Sequence, residues 1–328
     1  MKTRELFTYY NINLDLALEA HEIVRGETGQ EIPGVRVDRE RYNHSAVTTV
    51  EVVEKQAEQT MGKPVGNYIT IEAPGIRENN KDIHREVSEI LARKLGEILQ
   101  LRDNSTVLLV GLGNWNATPD ALGPHVIKYS LVTRHLHEYA PQELSGNLRP
   151  VCALSPGVLG ITGIETAEII KGVVDRVHPD LVIAVDALAA GSVERIATTI
   201  QLADTGINPG SGLGNRRPGI NQEIMGVPVI AIGVPTVVHA ALIAHSAINQ
   251  LMEEFKTSPT LYQMYKNLRP EAVQEILDKV LKPFAGNLMV TPKEVDELIT
   301  NISKIIASGI TMALHPAIDA QEAAKYLH

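Results

Sequence analysis

A single cysteine, Cys152, stands in 328 residues, so no internal disulfide can close. It lies in the apolar run Val151–Leu154, which reads as a small buried hydrophobe rather than a reactive thiol. Aromatic residues are scarce as well, at 4%. The core must therefore rest on Val, Ile, Leu and Ala, which favours a helix-covered parallel sheet over an aromatic-rich β-sandwich. Positive charge is in deficit: 30 Lys and Arg against 39 Asp and Glu leave a formal net charge of −9. Arg39 with Arg41, and Arg216 with Arg217, are short clusters that read as solvated loop charge, so nucleic acid is not expected as a direct ligand. No apolar run reaches membrane-spanning length, and Met1–Leu18 lacks the apolar core and cleavage site of a signal peptide. Composition predicts an intracellular globular protein with no membrane partner.

What is present is an alternation of strand and helix signals. Met1–Asn43 reads as irregular, with turn formers at Gly26, Gly29, Pro33 and Gly34. Tyr68–Ala73 reads as a strand stopped by Pro74 and Gly75, and Ile83, Val87, Ile90, Leu91, Leu95 and Ile98 then recur at helical spacing. Thr106–Val110, Val151–Leu154, Leu181–Val185 and Val227–Ile232 are short apolar strands of the buried parallel kind. Helices are predicted between them over Ala121–Tyr139, Gly163–Val177 and Val238–Phe255. Thr162 and Glu165 have capping-box spacing, as do Thr291 and Glu294, the latter followed by the stripe Val295, Leu298, Ile299, Ile302, Ile305 and Ile306. The pattern predicts an α/β fold: a doubly wound, mostly parallel sheet flanked by helices, with a helical C-terminal extension over 260–328. In such sheets chemistry gathers at the carboxyl ends of the strands.

Two strand ends carry carboxylates. The first strand runs into Gly111-Leu112-Gly113-Asn114, and Asp120 follows where the next helix begins. A dinucleotide fingerprint would need glycine at Asn116, and no P-loop lysine follows. Asp120 on its own also suits an ordinary helix cap. Asp186 follows Leu181–Val185, at a place where a lone buried charge costs several kcal/mol unless paired or used. If both aspartates share one crevice, one is held protonated while the other activates water; the same pair could instead ligate a metal with further donors. Asp204-Thr205-Gly206 spells the triplet of pepsin-like proteases, but once, in an α/β chain, and leads into the glycine-rich stretch Gly206–Asn215; a turn role is the better reading. Ser155 is not in a nucleophile elbow, and His239 and His245 read as packed or surface histidines.

Taken together, Thr118-Pro119-Asp120-Ala121-Leu122-Gly123-Pro124, Ser155-Pro156-Gly157, Val185-Asp186-Ala187-Leu188-Ala189, Asp204-Thr205-Gly206 and Ile232-Gly233-Val234-Pro235-Thr236 resemble the germination protease family, in order and over nearly the whole chain. The resemblance implies a cytoplasmic endopeptidase of atypical aspartic type, usually tetrameric, with a fold related to hydrogenase maturation peptidases. It implies small acid-soluble spore proteins as substrates, no cofactor, and manufacture as a self-trimming precursor. Its two essential carboxylates match Asp120 and Asp186. The family's substrates are cut after an acidic residue in short stretches similar to Asp15-Leu16-Ala17-Leu18-Glu19, which points to cleavage between Asp15 and Leu16. Residues 1–15 would then be a propeptide and 16–328 a single peptidase domain. One position departs: an acidic residue is expected where His239 stands. The alternative is a metal-dependent maturation-type peptidase or hydrolase on the same fold.

Overall fold

The computed structural model describes residues 3–10, 12–102, 104–139, 148–210, 217–256, 275, 278–284, 287–323 and 325. Among them, nine strands form one sheet: β1 (Val35–Arg41), β2 (Ala46–Val52), β3 (Gly66–Glu72), β4 (Val107–Gly111), β5 (Val151–Leu154), β6 (Leu181–Ala190), β7 (Thr199–Ala203), β8 (Val229–His239) and β9 (Met289–Val290). Their order is β1-β2-β3-β7-β8-β6-β4-β5, with β9 pairing β8 at its far end. Only the β8-β6-β4-β5 portion is parallel. The pairings of β1 with β2, β2 with β3, β3 with β7, β7 with β8 and β8 with β9 are antiparallel.

The expected mostly parallel sheet is thus a mixed one. Its antiparallel half was hidden because β1 carries Arg36, Asp38, Arg39, Glu40 and Arg41, a charge pattern that reads as loop. On a strand that pairs on one edge only, such charges are tolerated and discourage further pairing. The expectation that Met1–Asn43 is irregular fails with it. Helices occupy Thr3–Tyr9 and Ala17–Thr28, and β1 follows. Leu6, Leu16 and Leu18 are fully buried, each worth about 2 kcal/mol of transfer free energy, so this segment is firmly seated.

In the parallel part, alternation divides the core. Leu109, Ile183 and Val185 face a cluster containing Leu91, Leu95, Ile302 and Ile306, whereas Leu108, Val110, Val182 and Ala184 face Ala167, Ile170 and Val174. Helices therefore cover both faces. The helix Val295–Leu314 lies against the helix Lys81–Ile98, close enough that a Cβ at Gly309 would meet Leu91 at 2.7 Å. It is part of the main core rather than an appendage. Of the expected helical extension over 260–328, residues 260–274, 276, 277, 285, 286, 324 and 326–328 lie outside the described residues.

Three local readings change. The predicted helix over Ala121–Tyr139 is two, Leu122–Tyr129 and Arg134–Tyr139. The break between them serves Thr133, whose hydroxyl accepts from Val151 N at 3.0 Å at the start of β5. Thr162 ends a short helix, Leu159–Thr162, and its hydroxyl bonds locally to Ile164; the next helix starts at Thr166 with no side-chain cap. Thr291 likewise caps nothing, because the helix begins at Val295 with Glu294 at the cap position; its hydroxyl donates to Thr236 O at 2.8 Å.

Candidate active site

Asp186 does not end its strand. β6 continues to Ala190, and Asp186 pairs with Gly233 of β8 in mid-strand. It is an end only on the other side, where β4 stops at Gly111 opposite Val185. Val182 N bonds toward β8 and Val185 O toward the β4 side, so alternation turns the amides of Ala187, Ala189 and Gly191 to the edge that β4 has left. All three find carboxylates. Asp186 Oδ1 accepts from Ala187 N, Asp15 Oδ2 from Ala189 N, and both Glu19 oxygens from Gly191 N, each at 2.9 Å. The sequence reading had expected the strand to finish at Val185 because Asp186 interrupts the apolar run. Pairing with β8 overrides that local signal.

Asp120 closes a single 3-10 turn, Thr118–Asp120. Its Oδ2 and its carbonyl accept from Asn114 N at 2.9 and 3.1 Å. The turn fits only because Gly113 adopts φ +115, where a Cβ would sit 1.9 Å from Asp120 O. From outside, Thr236 donates to Pro119 O at 2.6 Å. The β6–β8 register skips Thr236, and this bulge frees it to reach across.

Burial pushes the Asp186 carboxyl well above the usual range, the Asp120 charge adds to that, then the Asp15 charge, and the Ala187 amide opposes them. Asp120 is raised too, first by burial, but the Asn114 amide and Arg217 pull it back. The two carboxyls act on one another, and the shift at Asp186 is the larger of the two.

The Asp15–Leu16 junction lies within the stretch whose sequence reads as irregular. Leu16 is fully buried, and the junction is held on both sides. Lys63 Nζ donates to Asp15 O at 2.7 Å and Gln201 Nε2 at 3.3 Å, while Gln201 Oε1 accepts from Ala17 N at 2.7 Å. Glu19 lies 3.4 Å from Arg195, which also reaches Glu22 and Glu72. Burial drives the Glu19 carboxyl up to about 7 against the pull of Arg195. A cavity of about 600 Å³ runs beside this segment, lined by Asp15, Lys63, Tyr68, Leu188, Gln201 and Gly233. It adjoins the Asp186 strand without enclosing the aspartate pair. Sequence reasoning missed Lys63 and Gln201. For Gln201 a signal existed, a lone amide in the otherwise apolar Ile200–Ala203 run; Lys63, between Gly62 and Pro64, offered none.

The other candidates sit apart. Asp204 accepts from the backbone and side-chain nitrogens of Asn67 at 2.8 and 2.7 Å, tying the end of β7 to the start of β3. Residues 211–215 of the glycine-rich stretch lie outside the described residues. Cys152 Sγ donates to Val107 O at 3.6 Å, and burial raises its pKa. His239 is buried at the end of β8, its Nδ1 accepting from Ala241 N at 3.1 Å, and His245 is buried with its pKa lowered by that burial. Among the described residues, no three His, Cys, Asp or Glu side chains are grouped so as to hold a metal ion, and no helix is long and apolar enough to cross a membrane.

Comparison with known proteins gives this arrangement a context. The family model described as germination protease matches residues 15–261 and 256–327. A germination protease of Caldanaerobacter subterraneus subsp. tengcongensis is 51% identical over 321 residues, covering 97% of this chain and 98% of that protein. One from Clostridium tetani is 48% identical over 322 residues, covering 97% and 100%. One from Bacillus cytotoxicus is 41% identical over an aligned length of 359 residues, covering 97% and 98%. With a family model and relatives this similar both spanning nearly its full length, the chain belongs to the germination protease family.

Proposed function

We propose that this peptidase hydrolyses peptide bonds with Asp120 and Asp186 as an acid–base pair, and that its substrates are small acid-soluble spore proteins. The observation that carries the mechanism is the deep burial of Asp186 beside a second, less perturbed carboxylate. Asp120, ionised, takes a proton from water as the water oxygen bonds to the scissile carbonyl carbon. Asp186 then delivers its proton to the departing nitrogen as the C–N bond breaks. A new carboxylate and a new amino terminus result, and Asp120 and Asp186 have exchanged protonation states; proton transfer through solvent restores them.

The same reading makes the full chain a precursor that cuts itself between Asp15 and Leu16. In its favour is the placement of that bond, since Asp15 and Glu19 occupy amides of the β6 edge next to Asp186. An extended substrate could pair with that edge by strand addition once the segment leaves. The tetrameric assembly and cytoplasmic location implied by the resemblance belong to this proposal too.

The pair is tested by Asp120→Asn and Asp186→Asn. Each should lower proteolysis of a spore acid-soluble protein by at least about a thousandfold, because an amide keeps the shape but cannot exchange the proton. Circular dichroism and the melting profile should stay native. A folded variant that cuts at near wild-type rate would remove the assigned aspartate from the mechanism.

A further inference from the structure

Two side chains converge on one backbone oxygen, and it belongs to the bond proposed to be cut. Lys63 Nζ and Gln201 Nε2 both donate to Asp15 O, at 2.7 and 3.3 Å. The other end of the Gln201 amide holds Ala17 N, so one side chain brackets Leu16. A backbone carbonyl has two lone pairs and most often meets neutral backbone donors. Here it receives an ammonium brought into a partly desolvated wall, where burial lowers the lysine's pKa while Asp15 and Glu19 support its charge. A cation in such a place acts on a neighbouring oxygen more strongly than it would in water.

The donors stand on fixed backbone. Gly62 ends the helix Lys55–Met61 in the left-handed conformation at φ 63, and Pro64 restricts the chain just after Lys63. Gln201 is itself buried in β7, whose five residues are all buried, and pairs with Gly233, the partner of Asp186 on β8. Gln201 and the proposed acid therefore stand at the same level on the two strands that flank β8.

We infer that Lys63 stabilises the oxyanion that forms at the carbonyl preceding the cut, with Gln201 as the residue that positions the peptide against it. The inference rests on the aspartate-pair reading and adds the electrophilic half of the site. As the water oxygen bonds to the carbonyl carbon, the C=O electron pair moves onto oxygen, and the Lys63 N–H···O bond strengthens. The pair returns when the C–N bond breaks, and Lys63 keeps its protons throughout. In the substrate-bound enzyme the same contact would serve the residue preceding each cut.

The test compares wild type, Lys63→Met, Lys63→Arg and Asp186→Asn in the full chain. Two readouts are followed: the new N-terminus at Leu16, and cleavage of an added peptide containing Asp-Leu-Ala-Leu-Glu. Removing an oxyanion donor costs roughly 10²–10³ in kcat, so Lys63→Met should lose at least about a hundredfold in both readouts with KM changed by no more than about threefold. Lys63→Arg, which restores a cationic donor, should recover part of kcat. If Lys63 only anchored the N-terminal segment, Lys63→Met would free the site, and peptide cleavage would hold or rise. Cleavage by Lys63→Met within about tenfold of wild type in either readout would overturn the inference. Should Lys63→Met fail to fold, Lys63→Gln decides: a neutral donor there should still lower kcat by more than about tenfold, and unchanged kcat would refute the role. Failures of the two readings remain distinct. An active Asp186→Asn removes the acid, whatever Lys63 does. A wild type never cut at Leu16, with peptide cleavage still dependent on Lys63, removes only the precursor.

Discussion

At the scale of single residues, two buried groups keep charge out of the interior by opposite means. Burial raises the Asp186 carboxyl toward its neutral acid and lowers the His315 imidazole toward its neutral base. His315 is 1% exposed; its Nδ1 accepts from Arg149 N at 3.1 Å, and burial, with Arg149 and His137, holds its pKa down at about 4. Its folded pKa lies below the unfolded value near 6.5, so the unfolded chain binds the extra proton first. The stabilising contribution is complete above about 6.5 and is lost as pH falls toward the folded value. The shift amounts to about 3 kcal/mol of acid lability from one side chain. His315→Gln supplies a non-titrating acceptor for Arg149 N. Urea unfolding of that variant should show a shallower loss of stability than wild type between about pH 6.5 and pH 4. An equal loss in both proteins would move the lability to another group. The sequence showed a histidine among Leu314 and Pro316 but not its burial, which is set by the junction with residues some 165 positions earlier.

At the scale of elements, the Asp120 turn depends on backbone that side chains would obstruct. Gly113→Ala places a Cβ in the left-handed region and into Asp120 O, so strain and overlap should cost roughly 1–3 kcal/mol. To relieve the overlap the turn must move, which breaks the contact between Asn114 N and Asp120 Oδ2. Peptidase activity of Gly113→Ala should fall more than about tenfold, since small displacements of positioned groups are costly. Gly226→Ala is the control: φ is again positive at +77, but nothing lies within 4 Å, so it should lose stability and keep activity. Equal activity in the two variants would mean that the turn does not position Asp120. The glycine turn and Asp120 were legible because both lie within one short stretch. The two capping boxes were misread for the opposite reason: Thr162 and Thr291 have the right spacing, but the fold starts the helices later, at Thr166 and Val295.

At the scale of the molecule, the N-terminal segment, β6 and the carboxyl pair form one electrostatic unit with a preferred pH. Asp186 has a raised folded pKa, so its protonated form is lost as pH rises through that value; Asp120 must be ionised, which acid opposes. Glu19, raised to about 7, favours the docked segment most fully below its unfolded value of 4.5, and that contribution fades as pH climbs toward 7. Self-cleavage should therefore be faster at mildly acidic pH, near about 5.5, than at about pH 8, with a decline again in stronger acid. Intact-mass time courses of the full chain across this range would show it, with Asp186→Asn as the uncut control. A rate independent of pH from about 5 to 8 would show that protonation of Glu19 does not govern docking of the segment.

The sequence by itself determined the parallel strands, the helices on both of their faces and the family, and it singled out Asp120 and Asp186 as candidates. Those signals are local: an apolar run, a helical period, or a block of residues read in order. Tertiary structure decided the rest. β1 gains its place only by pairing with β2, and β6 outruns its apolar run because β8 extends alongside it. The Asp15–Leu16 bond is gripped by Lys63 and Gln201, 48 and 186 positions from Asp15. A polar side chain has no periodic signature of its own, and its partner is chosen by which elements the sheet brings together. That is why the two aspartates proposed as an acid–base pair could be picked out along the chain, while the contacts of Lys63 and Gln201 to Asp15 O became visible only in the fold.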